Sequence, residues 1–441
     1  MLVMRRLGTM IVICTLAACG GESSSGSGGG VVLPTPTPTP TPTPAPTPTP
    51  SPAATISYLH TFAIEPGDGA QPNGPLLQAS DGNFYGTTRA GGSGECRPQS
   101  PVPCGVIFRI TPSGDETVFY SFRPSGEDGY TPLGGLIQGA DGALYGTTSN
   151  GGAFGGSGTI FRIDLNGEFR VLHSFSGLNG EGHTSTDALT LADDGNFYGV
   201  TKSGGANICG QIPQAGGNCG TIFKMTATGE FTTLHSFGRT ASDGVQPNGP
   251  LLQTADGSFY GTTGIGGSYN RGTIFRLTPA GALNIIYSFG ETSGDPSSPQ
   301  GSLIEDSNGI LYGTTPSGGT GSGTVYRLDR SDRVTVLFNF EQNVSGSGPS
   351  RVLALGRDGN IYGTTRTGGQ NGRGTAFRLS TSGALTTLFT FGPIQEKPYD
   401  PETGVIEGAD GALYGTTFYN EGLGAVGARS GFGTVYKLTI R

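Results

Sequence analysis

"ISYLHTF", Ile56–Phe62, follows a proline-threonine tract and matches the segment that closes a unit recurring down the chain. Six later copies of the pattern, "TVFYSF", "RVLHSF", "TTLHSF", "NIIYSF", "TVLFNF" and "TTLFTF", each end a unit. The last unit stops at "GTVYKLTIR" and lacks this segment. A linear stack of repeats has no reason to start with the final quarter of a unit. A ring does, because the leading strand completes the last sheet and removes an open edge.

The tetrapeptide "YGTT", once "YGVT", begins at Tyr85, Tyr145, Tyr198, Tyr260, Tyr312, Tyr362 and Tyr414, which sets the number of units at seven. The fourth copy reads "GPLLQTADGSFYGTTGIGGSYNRGTIFRLTPAGALNIIYSF". It divides into strand A "PLLQT", strand B "SFYGTT", strand C "GTIFRLT" and strand D "LNIIYSF". Asp256-Gly257 suits a two-residue type I′ hairpin between A and B, and Asn308-Gly309 meets the same demand in the fifth copy. The 81 glycines follow no G-X-Y period and fit many tight turns. The pattern predicts an all-β, seven-bladed β-propeller of four-stranded antiparallel blades, with 56–62 completing the last blade against Gly433–Ile440.

The unit resembles the bacterial GloVer tandem-repeat family, whose repeat runs DGxLYGTTxxGG…GTVFxLxPxG…LYSF. The resemblance spans Ile56 to Arg441, and members of that family carry varied anchoring signals. It implies no activity and no catalytic residues.

The N-terminus, "MLVMRRLGTMIVICTLAACGG", has a basic start at Arg5 and Arg6 and a short apolar run. "LAAC", Leu16–Cys19, resembles a bacterial lipobox. That resemblance implies a signal peptide over 1–18, lipidation of Cys19, and export with a lipid anchor in the outer membrane as the only membrane contact. Residues 19–55 are read as a tether, first Gly/Ser-rich and then an extended Pro/Thr stretch, ahead of a propeller over 56–441. In an exported chain Cys96 with Cys104, and Cys209 with Cys219, are expected to form local disulfides. A net charge of −8 and the lack of a basic run argue against nucleic acid.

Features repeated in every blade are read as scaffold: the strand-C bases Arg109, Arg162, Lys224, Arg276, Arg327, Arg378 and Lys437, and the A–B turn acids Asp81, Asp141, Asp194, Asp256, Asp358 and Asp410. The bases are expected to bridge to a carboxylate or carbonyl. His60, His173 and His235 share a D-strand slot with Tyr120, Tyr287, Phe338 and Phe389, which reads as a demand for a flat ring. No GxSxG, HExxH or P-loop is present.

Differences between blades concentrate in the D–A and B–C loops, which share one face. The D–A loops carry Asp68, Asp128, Asp243 and Asp295, with Asp400 similarly placed. Gathered near the channel, these would take calcium or a cationic ligand; as turn residues they need no ligand. The lone loop histidine His183 and the aromatics Tyr130, Phe154, Tyr269, Tyr399, Phe418 and Tyr419 complete the candidate face, for an envelope protein or a glycan. The leading expectation is a monomeric, non-enzymatic binding module. The alternative is a polysaccharide lyase or hydrolase at the channel mouth, with a pair among Asp68, Asp128, Asp243 and His183 in hydrogen-bond reach.

Overall fold

The computed structural model describes residues 54–63, 67–93, 95–97, 100–123, 126–178, 180–185, 187–209, 219–240, 242–292, 294–392, 400–419 and 432–440, with backbone alone at 95–97 and 100–103. The signal segment, Cys19, most of the tether and Tyr399 lie outside the described residues.

Seven antiparallel sheets follow one another along the chain, each ordered A–B–C–D. Blade 1 comprises Leu77–Gln78, Phe84–Gly91, Val106–Ile110 and Glu116–Ser121. Blade 7 takes Val405–Glu407, Leu413–Thr417 and Thr434–Ile440 from the C-terminus and Ala54–Thr61 from the N-terminus. Ala54 opposes Ile440 and Thr61 opposes Thr434, with a bulge between Tyr58 and His60. The Phe62 amide then donates to the Gly433 carbonyl at 3.0 Å. The propeller is thus closed by its leading strand.

Each letter of "YGTT" has a separate structural task. The tyrosine hydroxyl donates to an A–B turn aspartate: Tyr85 to Asp81 at 2.9 Å, Tyr145 to Asp141 at 3.0 Å, Tyr414 to Asp410 at 2.9 Å. The glycine lies against a strand-C ring, and a Cβ on Gly86 would collide with Phe108. The first threonine reaches the next blade, as Thr87 donates to the Gly134 carbonyl at 3.0 Å and Thr364 to that of Pro401 at 2.7 Å. The second pairs with the threonine that opens strand C, Thr148 with Thr159 at 2.9 Å and Thr365 with Thr375 at 2.9 Å. One tetrapeptide therefore fixes a turn, a sheet-to-sheet fit and a link around the ring.

The A–B turn differs from the two-residue type I′ expectation. In blade 1 the Gly82 amide bonds the Ala79 carbonyl and the Ala79 amide bonds that of Asn83, leaving a three-residue loop. Gly82 has φ +82° while Asp81 keeps an ordinary negative φ. This is a type I turn followed by a left-handed glycine. Asp81 is freed to accept the Asn83 amide with one oxygen and the Tyr85 hydroxyl with the other. In blade 5 Asn308 fills the turn slot, and Asp306 supplies the carboxylate to Tyr312 at 2.9 Å.

The core is a series of inter-blade clusters. Phe84 of blade 1 stacks on Tyr414 of blade 7 with centroids 4.1 Å apart, so the seam is packed as the other junctions are.

Candidate interaction face and the carboxylates beneath it

In four blades the strand-C base meets the turn acid of its own blade. Arg162 reaches Asp141 at 2.8 Å, Lys224 reaches Asp194 at 2.8 Å, Lys437 reaches Asp410 at 2.7 Å, and Arg276 pairs with Asp256. Two repeated features of the sequence are thus one repeated bridge. Burial, and then Asp81, push the Tyr85 hydroxyl to about 12. Burial works to raise Asp141, but the hydrogen bonds from Arg162 and Tyr145 hold it below the usual carboxylate range.

The D–A acids do not gather at the channel. They stand beside the outermost strand of the preceding blade, near the ring eight residues earlier, which hydrogen-bonds the acid in two of the five cases. The Tyr120 hydroxyl donates to Asp128, which also receives the Arg123 guanidinium at 2.6 Å. His173 bonds Glu181, and His60 and His235 approach Asp68 and Asp243 at 3.5 Å and 3.9 Å. Tyr287 precedes Asp295 by the same interval; Asp295 accepts the amide and hydroxyl of Thr292 at 2.9 Å and 2.7 Å. Where the ring is Phe338 or Phe389, the position eight residues on is Gly346 or Lys397. The slot therefore discriminates: a ring with a polar atom comes with an acid, and a phenylalanine does not. The flat-ring reading is corrected on that point, and Glu181, overlooked in the sequence, was marked by the shared interval. Asp400 lies outside this register and pairs with Arg366 at 3.1 Å.

The segments leading into strand A of all seven blades line a small cavity of about 50 Å³. Its charged groups are Asp187, Arg351 and Glu402, and none of the acids of the ring-and-acid pairs reaches it. Asp68, Asp128, Asp243 and His183 share no hydrogen bond or ion pair with one another. His183, on Gly182–His183 paired to Ser203–Gly204, places Nδ1 3.0 Å from the Thr184 hydroxyl, and burial lowers its pKa. One cluster has metal-ligating chemistry among the described residues: His60, Asp68 and Glu116, with ligand atoms within 4.8 Å of one another.

The aromatic candidates divide. Phe154 is 62% exposed and Tyr269 44%. Phe418 is buried, edge-on to the half-buried Tyr419 at 4.7 Å, and Tyr130 is half-buried and bridged to Asn150. The exposed aliphatics Leu178, Ile208 and Val344 complete the set of loop hydrophobics and were not anticipated. Their signal was an apolar residue inside an Asn/Gly-rich loop, as in "GLNG" and "NICG". Cys209 and Cys219 form a disulfide with Cα atoms 5.7 Å apart. Cys104 is buried, and the side chain of Cys96 lies outside the described residues.

Among solved structures, the periplasmic gluconolactonase of Pseudomonas aeruginosa is similar at 14% identity and a TM-score of 0.48, over 81% of this chain and 99% of that one. The PQQ-bound aldose sugar dehydrogenase of Streptomyces coelicolor is similar at 16% identity and a TM-score of 0.41, over 88% of this chain and all of that one. No curated protein matches the chain. The Gloeobacter/Verrucomicrobia repeat matches residues 49–213, 212–321 and 294–441. With every residue from 49 onward inside those matches, the chain belongs to the Gloeobacter/Verrucomicrobia repeat family.

Proposed function

We propose that this chain is a cell-envelope-anchored, non-enzymatic binding module that takes a protein partner on its D–A/B–C face. One observation carries the reading. Six large hydrophobic side chains are exposed among the described residues, and five of them stand on these loops: Phe154, Leu178, Ile208, Tyr269 and Val344. The sixth, Tyr58, is on the outer strand. Exposed apolar groups concentrated on one rim of a rigid ring suit a partner interface. Three of the five are aliphatic, which favours a protein over a glycan, since sugars stack on aromatic rings. Attachment to the envelope rests on the lipobox at Leu16–Cys19.

The test is a pull-down of envelope proteins by the purified chain, run beside a glycan array. Leu178→Ser/Ile208→Ser/Val344→Ser should abolish capture while leaving the melting temperature unchanged. Capture that persists in this variant, or sugar binding alone, would overturn the reading. Cys19→Ala should move the protein from the membrane fraction to the soluble one.

A further inference from the structure

We propose that His60, Asp68 and Glu116 bind one divalent transition-metal ion of the zinc class across the ring closure. The starting point is a break in the repeat. The residue after the strand-C base opposes one strand-D position, and this slot holds Ile56, Phe169, Phe231, Leu283, Val334 and Leu385 in six blades. In blade 1 it holds Glu116.

The slot is where one blade receives the D-strand ring of the blade before it. Tyr120 stacks on Phe169 and His173 on Phe231, each at 4.1 Å. Tyr287 with Val334, Phe338 with Leu385, and Phe389 with Ile56 share apolar clusters. Only at the seam does the ring, here His60, face a carboxylate in this slot, and Asp68 lies within reach of both.

The atoms there are under-satisfied. His60 Nε2 and Glu116 Oε1 are shut off from solvent and make no hydrogen bond. Buried polar atoms are ordinarily paired, so two orphans directed at one spot need a common partner. Asp68 is already oriented, with its oxygens accepting the Gly69 and Ala63 amides at 2.7 Å and 2.8 Å. Backbone donors of this kind fix a ligating carboxylate.

Distance and ligand type select the ion. His60 Nε2 lies 3.5 Å from Asp68 Oδ1, long for a charged hydrogen bond. Ligand atoms around a four-coordinate zinc sit about 3.3 Å apart, and one imidazole with two carboxylates is within its ordinary donor set. Calcium prefers six to eight oxygens and no imidazole. Water would complete the shell. His235 near Asp243 has no such third ligand, since its slot partner is Leu283.

Such an ion would join the N-terminal strand to blade 1. The experiment is calorimetric titration of the full chain with zinc chloride and with calcium chloride, alongside thermal unfolding. Three variants are compared: His60→Phe and Glu116→Leu, which restore residues found in the same slots at Phe338 and Leu283, and Glu116→Gln, which keeps size and removes charge. The wild type should bind zinc, and its melting temperature should rise with it. Each folded variant should lose at least tenfold in affinity at that site, together with the thermal shift. Zinc binding equal in wild type and variants, no zinc binding at millimolar concentration, or calcium binding as tight as zinc would each overturn the proposal.

Discussion

The Tyr120 hydroxyl donates to the Asp128 carboxylate at 2.5 Å, eight residues farther along the chain. Asp128 is 4% exposed; losing Tyr120 takes away one of its side-chain donors and leaves Arg123, and losing Asp128 leaves the half-buried Tyr120 hydroxyl without its acceptor. Tyr120→Phe and Asp128→Gly should each destabilise the propeller by about 1–3 kcal/mol. The double variant reproduces the Phe338/Gly346 arrangement and should recover at least about 1 kcal/mol of the summed loss. Urea unfolding of the four proteins decides this; strict additivity would refute the coupling.

Acid should unfold the ring within a defined window. Burial works to raise Asp141, Asp194 and Asp410, but bonds from Arg162, Lys224 and Lys437 hold all three low. Asp256 is lowered to about 2, first by the Ser258 amide and then by Thr254. Folded values below unfolded ones mean that this stabilisation is complete above about pH 4 and is lost as pH falls toward about 2. Glu305, raised by burial, opposes it weakly at neutral pH. Melting temperature should hold from pH 7 to 5 and drop steeply below 4. A decline already complete at pH 5 would contradict the assignment.

Gly86→Ala should cost about 1–3 kcal/mol, because the new methyl group meets the Phe108 ring inside a close-packed sheet. Phe108→Leu should relieve part of that cost. Chemical denaturation of the single and double variants measures both effects.

Removing the chain before Ala63 should expose the free edge of Thr434–Ile440 and produce self-association. A synthetic peptide spanning 54–62, added in trans, should restore the monomer. Light scattering on a size-exclusion column reads the outcome, and a monomeric truncated chain would count against strand-dependent closure.

Closure was legible from Ile56–Phe62, since a displaced quarter-repeat has few explanations. The partners of repeated side chains were not, because repetition marks a residue as structural without saying what it touches. Asp141 and Arg162 became members of one bridge only in three dimensions. The turn was misread because Asp-Gly serves both a type I′ hairpin and a type I turn ending in a left-handed glycine. The acid eight residues after each polar ring was present in the sequence, yet treating Phe389 and His60 as equivalent hid it. Loop exposure was not readable: Phe154 and Phe418 both follow strand B on the same face, and only Phe418 packs down.

Pairing of Ala54 with Ile440 brings the two ends of the ring side by side, as the ends of any C–D turn are. The covalent break is therefore incidental to the architecture. A short turn joining those ends, with new termini cut in the exposed stretch near Ile208 or Phe154, would give a circular permutant with the strand pairing of every blade intact. Which blade comes first is a property of the gene, and the folded protein has no preferred starting point.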